Sequence, residues 1–568
     1  MIKYRLIYIW CTILISCNPK SLEKKSDIIE GRGIITSNAM VVSDHPQGSR
    51  IGIEILKKGG NAVDGAVATG FALAVCYPEA GNIGGGGFML IRIADGTVDV
   101  IDYREKAPEN SSRDMYLDKN GNVIEDLSTN THLACGVPGS IHGLLTAHEK
   151  YGKLAFKEII QPAIDLASRG FPISAGQAAS LNNNRKTFTS RNPGKIAFVK
   201  DSIWKEGDIL QQPELAETLI RIRDFGKDGF YSGKTASLFV REMKRGNGAI
   251  TSKDLREYGS VWREPLIGNY RGYKIITLGP PSSGGIILLQ LLKMTETHNL
   301  KEMGFHTAQS IHLITEAERR AFADRAEFPG DPDFVKIPVK KLINAKYLTD
   351  RMKSFNPDRA SLSTGIGHGL PEPYESGQTT HYSVVDSIGN AVSTTTTLNN
   401  TFGNSIVVEG AGFLLNNEMD DFSSKPGFPN MFGLVGGEAN SIHPGKRMLS
   451  SMAPSILEKD GKLFLVAGSP GGSTIPTTVF QVIVNILDFG MCIQDAVNAD
   501  RFHHQWLPDY ISYERKCIDS ATYRKLELLG HKLKVRGSIG LVNAIHILPD
   551  GKRAGGADPR GYNTASGY

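Results

Sequence analysis

The stretch "AVDGAVATGFALAVCYP", from Ala62 to Pro78, has helical spacing and is apolar nearly all round. A helix with no polar face has no side to give to water, so the fold must cover it in every direction. Asn61 can cap its first turn, and Pro78 ends it. The preceding "SRIGIEILKKGG" reads as a second helix closed by its two glycines. The following "GNIGGGGFMLIRIADGTVDVIDYREKAP" reads as a glycine turn, a strand, an Asp95-Gly96 hairpin turn and a returning strand.

From about Leu144 to Leu348 the pattern is mostly amphipathic helix, as in "AFKEIIQPAIDLASRG". Residues Asn356 to Gln378 are rich in Pro, Gly and Ser and read as an exposed loop, after which strands return. Strands at both ends, with helices between and after them, predict one α/β layered domain whose sheets draw on both halves of the chain. A formal charge of +5 over 568 residues, with no Lys/Arg stripe interleaved with aromatics, argues against nucleic acid as a partner.

The N-terminus "MIKYRLIYIWCTILISC" has the layout of an export signal: Lys3 and Arg5, then an apolar stretch too short to span a bilayer comfortably. Its end, "LISC", resembles the lipobox of bacterial lipoproteins, which makes Cys17 the expected lipidated residue. An ordinary cleaved signal with a chance cysteine is the alternative. The polar residues 18–30 read as a tether, and the expected location is periplasmic and membrane-anchored. Cys76, Cys135, Cys492 and Cys517 show no CxxC spacing, and buried free thiols are expected.

"THYSVVDSIGNAVSTTTTLNN" alternates in two arms around "DSIGN" and predicts a hairpin. Counting outward from Ile388 pairs Thr379 with Thr397, whose Cβ atoms would then stand about 5 Å apart. A hydroxyl nucleophile needs a base. His381 stands two residues on, roughly 6 to 7 Å along the strand, which is too far for direct proton transfer. A threonine can instead use its own α-amine if the chain is cut just before it, and an α-amine titrates near neutrality, at about 7.7 to 8.0. Spacing alone does not choose Thr379 over Thr380. The adjacent histidines of "RFHHQW" read as structural, not as metal ligands. "GSPGGS" lacks the Gly-Lys-Ser/Thr of a phosphate loop, and "SLEK" fits a Ser-x-x-Lys site only by accident, being in the tether.

Taken together, "GQTTHYSVVD", "TLNNTFG", "LLNNEMDDFS", "KRMLSSMAPSI" and "GSPGGSTIPTTV", preceded by "KKGGNAVDGAVA", "GNIGGGGFMLIR" and "DYREKAP", resemble the γ-glutamyltranspeptidases in the same order from about Gly33 to the final "GY". The resemblance implies the N-terminal nucleophile hydrolase fold, a four-layer αββα sandwich. It also implies self-cleavage at Gln378-Thr379 into a large subunit (31–378) and a small one (379–568) that stay together.

Carried onto this sequence, it makes Thr379 the nucleophile and, through its new amine, the base. Thr397 becomes its orienting partner, and Gly471 and Gly472 the oxyanion hole. Arg104, Ser450 and Ser451 would hold the substrate α-carboxylate, and Asn399, Glu418 and Asp421 its ammonium. It implies no metal or organic cofactor. The implied partners are γ-glutamyl compounds such as glutathione, and amino acid or dipeptide acceptors. Glu418 stands where bacterial relatives often have glutamine. Phe432, in "KPGFPNMFGLVGG", replaces a lid tyrosine and so removes a hydroxyl from the closure. Two alternatives are a cephalosporin or glutaryl acylase of the same superfamily and a catalytically dead surface lipoprotein.

Overall fold

A computed structural model describes residues 33–366 and 379–568. The signal-like start, Cys17, the tether and Gln378 lie outside the described residues. Two seven-stranded sheets form the centre. One runs Thr564–Gly567, Met40–Ser43, Thr379–Val385, Ala391–Thr397, Gly86–Arg92, Val98–Asp102, Val261–Arg263. The other runs Ile35–Thr36, Arg553–Ala557, Asn543–Ile547, Lys462–Gly468, Ser455–Lys459, Tyr273–Thr277, Leu266–Tyr270. All pairings within them are antiparallel.

Period-two alternation decides which layer each side chain enters. Met40, Val42, Phe88, Leu90 and Val385 of the first sheet meet Ile276, Ile456, Val466 and Ile545 of the second in a core between the sheets. Their neighbours Val41, Met89, Ile91 and Val384 turn outward beneath the helices Pro46–Lys57 and Ala62–Cys76. Leu457, Leu465 and Ala544 do the same beneath Gly284–Thr295, Ala308–Glu327 and Ile475–Leu487. The order is helix, sheet, sheet, helix, which is the predicted αββα sandwich.

The helix Ala62–Cys76 is buried along its whole length, and Asn61 closes a capping box with Asp64. The predicted hairpin forms with the predicted register, Thr379 opposite Thr397 and Val385 opposite Ala391. Each sheet mixes strands from before residue 366 with strands from after residue 379.

The middle of the chain is mostly helix, as expected, and within it the short strands Val261–Arg263, Leu266–Tyr270 and Tyr273–Thr277 join the sheets at or next to their edges. The last two form a tight hairpin through Arg271 and Gly272, both at positive φ, the backbone of a two-residue hairpin turn. Edge strands need only one covered face, so "LIGNY" is too polar and too short to announce itself. Among the cysteines, Cys76, Cys135 and Cys517 are buried and free as expected, but Cys492 is exposed.

Candidate active site

Thr379 opens a strand in the middle of the first sheet and faces a small pocket. Lining it are Arg104, Thr397, Asn399, Glu418, Asp421, Ser450, Ser451 and Gly472, with Phe432 and Leu434 reaching in from a covering loop. The sequence places these residues up to hundreds of positions apart. Gly471 adjoins Gly472 at the turn leading into helix Ile475–Leu487, whose positive dipole end and backbone N–H groups favour an anion there. Thr380 is excluded from the pocket by strand alternation. Its hydroxyl donates at 2.7 Å to Asp44, a buried carboxyl that desolvation pushes up to about 7.

Thr397 Oγ1 accepts the Asn399 N–H at 2.8 Å, and Thr397 lines the pocket together with Thr379. Asn399 sits at φ +77, a left-handed conformation that asparagine tolerates better than most residues. Its Nδ2 donates to the Asn417 carbonyl at 3.0 Å, so Oδ1 is the group left with acceptor capacity.

The strongest electrostatic feature is Arg104. It lies just past the end of the strand Val98–Asp102, fully buried, with its guanidinium bonded to Glu418 and Asp421. A third carboxylate, Glu105, stands 3.5 Å away. Sequence reasoning gave Arg104 one role and the acids another; the structure pairs them with each other. Three buried carboxylates face Arg104 and, on the Asp421 side, the buried Arg325, which leaves two guanidinium charges against three acids. Burial, and then repulsion from Glu105 and Asp421, hold Glu418 above the ordinary range even beside Arg104, and burial raises Asp421 too. Glu105, likewise desolvated, is pushed up to about 7. Glu418 Oε2 and both Glu105 oxygens have no hydrogen-bond partner among the described residues. The cluster is short of positive charge, and a ligand ammonium would supply it.

Ser450 and Ser451 are held where the segment after Arg447 runs beside Pro281 and Ser282. The Ser450 N–H donates to the Pro281 carbonyl and the Ser450 carbonyl accepts the Ser283 N–H, both at 2.9 Å. A Cβ on Gly472 would stand 2.8 Å from the Phe432 ring, and its φ is +55, so only glycine fits while the covering loop is closed. The pocket retains about 20 Å³, roughly the room for one water molecule. Anything larger enters only if the loop or the Arg104 pairs give way.

His381 is no base. It is buried between Thr395 and Ser383, bonded to their hydroxyls at 2.9 and 3.1 Å, and desolvation lowers it to about 3. His503 and His504 are buried and bonded to Thr477 and Asp509 respectively. Among the described residues the side chains with metal-like spacing are instead His312, Glu316 and His531. There Arg319 and Arg320 already pair with the Glu316 carboxylate. Glu105, Asp420 and Met431 are site residues that sequence reasoning missed; Glu105 and Asp420 adjoin named residues but carry no pattern of their own.

The family model described as gamma-glutamyltranspeptidase matches residues 48–568. Over 536 residues the chain is 47% identical to the glutathione hydrolase proenzyme of Escherichia coli, covering 93% of this chain and 92% of that one. The crystal structure of cephalosporin acylase from Bacillus halodurans superposes with a TM-score of 0.83 at 25% identity, covering 98% of this chain and 99% of that one. That of Helicobacter pylori gamma-glutamyltranspeptidase gives 0.57 at 43% identity, covering 62% of this chain and 99% of that one. With the family match running over nearly all of the layered fold and through every segment that lines the pocket, the chain belongs to the gamma-glutamyltranspeptidase family.

Proposed function

We propose that the protein is a self-cleaving γ-glutamyltransferase and glutathione hydrolase. The observation that carries this reading is the buried guanidinium surrounded by more carboxylate than it neutralises, in the pocket that Thr379 faces. An α-amino acid head group brings one carboxylate for Arg104, Ser450 and Ser451 and one ammonium for Asn399, Glu418 and Asp421.

In the precursor the Thr379 hydroxyl attacks the Gln378 carbonyl carbon. The C–N bond breaks as a C–O ester forms, and water opens the ester to leave a Gln378 carboxylate and a free Thr379 α-amine. The amine then takes the Thr379 hydroxyl proton as the oxygen attacks the δ-carbonyl of a γ-glutamyl amide. Thr397, opposite in the hairpin, orients that oxygen. The N–H groups of Gly471 and Gly472 stabilise the tetrahedral oxyanion, a contribution of roughly 3 kcal/mol per donor. The leaving amine departs with a proton, and a γ-glutamyl-Thr379 ester remains. Water completes hydrolysis; an amino acid or dipeptide amine completes transfer.

The acylase of similar fold makes a glutaryl substrate the rival. The two differ by the α-ammonium alone, and the presence of Glu418 and Asp421 in the pocket lining supports the substrate that carries it. Purified protein is expected to release cysteinylglycine from glutathione at least about tenfold faster, by kcat/KM, than it hydrolyses a glutaryl amide; a charged hydrogen-bond partner of this kind is worth roughly 1.5–3 kcal/mol. A preference for the glutaryl amide would sink the assignment.

The exported, lipid-anchored location rests on the sequence of residues 1–30 alone. Cys17→Ala is expected to move the protein from the membrane fraction to the soluble one. Unchanged fractionation would refute the anchor. Among the described residues no helix is long and apolar enough to cross a membrane.

A further inference from the structure

The pocket is covered by the loop Lys425 to Gly437, whose tip, Asn430 to Leu434, folds on itself: the Asn430 N–H donates to the Leu434 carbonyl at 3.1 Å. Closure here does not use a hydroxyl at position 432. Phe432 offers its ring to Gly472, and its carbonyl accepts from Gln505 at 3.1 Å. The polar attachments fall on its neighbours. The Met431 N–H donates to Asp420 Oδ2 at 2.9 Å, and the other Asp420 oxygen accepts the Ser128 hydroxyl at 2.7 Å. The Met431 thioether lies 3.8 Å from the side-chain nitrogens of both Asn399 and Asn417, and Asn430 Nδ2 donates to Asp421 Oδ1 at 3.1 Å.

We propose that Asp420 and Met431 form the latch that holds this lid over the γ-glutamyl pocket, with Asp420 as a positioning residue for the substrate ammonium. Asp420 is buried and acts with both oxygens, and hydrogen bonds to a desolvated carboxylate are the strong kind. It belongs to the same short turn, Glu418–Asp421, as the two carboxylates that face the ammonium. Releasing the lid therefore loosens the turn that binds the ligand. The tip also has somewhere to go. Its outer side borders a cleft of about 650 Å³ lined by Ile124, Ser128, Asn400, Phe428 and Met431, whereas the pocket beneath it holds about 20 Å³.

The test is hydrogen exchange read by mass spectrometry on the mature protein, over the peptide containing Asn430 to Leu434, together with steady-state kinetics on glutathione. In Asp420→Ala the peptide exchanges at least about tenfold faster and KM rises about tenfold, while kcat falls by no more than about threefold, the size expected for losing one charge-assisted hydrogen bond. Asp420→Asn keeps an acceptor for Met431 or Ser128 and restores both readouts to within about threefold. Unchanged exchange in Asp420→Ala overturns the latch. So does a defect that Asp420→Asn fails to repair, because that marks a structural role. If Asp420→Ala does not fold, Ser128→Ala carries the test: faster exchange supports the latch, and wild-type exchange overturns it. The kinetic arm rests on the glutathione reading and the exchange arm does not, so inactivity of the wild type toward glutathione would remove that reading and leave exchange to decide the latch.

Discussion

Thr379→Ala will run on a denaturing gel as one uncut chain where the wild type runs as two fragments, and its γ-glutamyl release will fall at least about 10³-fold. Removing a nucleophile that acts as a unit with its base costs up to about 10⁶-fold, and here one substitution removes two functions. Alanine has no oxygen to attack the Gln378 carbonyl, so no ester forms and no α-amine is freed. The uncut chain therefore lacks both nucleophile and base. His381 cannot compensate: its ring nitrogens are committed to Thr395 and Ser383, and burial holds it down at about 3. Nor can Thr380, whose hydroxyl is bonded to Asp44 on the other face of the strand. Two fragments from the variant, or retained activity, would show that the nucleophile lies elsewhere.

Arg104→Leu should lower kcat/KM for glutathione about 10³-fold and lower the melting temperature as well. Without the guanidinium, Glu105 and Glu418 face each other and Asp421 in a buried site where Arg325 acts on Asp421, and leaving buried charge uncompensated costs roughly 3–5 kcal/mol. They will respond by taking up protons, and a protonated Glu418 no longer holds an ammonium by charge. Carboxylate and ammonium recognition are thus lost together. Arg104→Lys separates the two effects. It keeps one positive charge, so most of the stability should return, but a lysine cannot bridge Glu418 and Asp421 with a planar fork while also meeting a ligand carboxylate. Its kcat/KM should remain about 10²-fold down. Wild-type kcat/KM in Arg104→Lys, with thermal unfolding measured alongside, would remove Arg104 from substrate recognition.

The sequence was most legible where a repeating physical demand recurs over many residues. Alternation around "DSIGN" set the hairpin register, and so brought Thr379 opposite Thr397 without any knowledge of the fold. Apolarity on every side of Ala62–Cys76 required a covered helix, and the helix is covered. The short strands Val261–Arg263, Leu266–Tyr270 and Tyr273–Thr277 were not legible. A strand of three to five residues at or near a sheet edge leaves too little pattern, and only the Arg271-Gly272 turn marks the hairpin.

At the site, family resemblance supplied the set of residues and the structure supplied their relations. That Arg104 holds Glu418 and Asp421 follows from three-dimensional proximity between segments remote in the chain, which no local pattern encodes. Asp420 and Met431 were invisible for another reason. A carboxylate among other acids reads as a solvated acidic loop, and a methionine near a glycine reads as packing; only the bond between them gives either a purpose.

The interleaving of strands has a consequence for how such a protein is made. The strand Thr379–Val385 lies between Met40–Ser43 and Ala391–Thr397, and Tyr273–Thr277 lies between Leu266–Tyr270 and Ser455–Lys459. A chain severed before Thr379 cannot part into its halves without stripping hydrogen-bonded strands from the interior of both sheets. The mature enzyme would be two molecules by covalent count and one by mechanics. Its assembly therefore has a direction. Folding of the intact precursor is a first-order event, whereas two separated, denatured fragments would have to find each other, at a rate set by their concentration. Synthesis as one chain that is cut after folding settles stoichiometry and encounter in advance, and the break that arms the active site also removes the simple route back to the folded state.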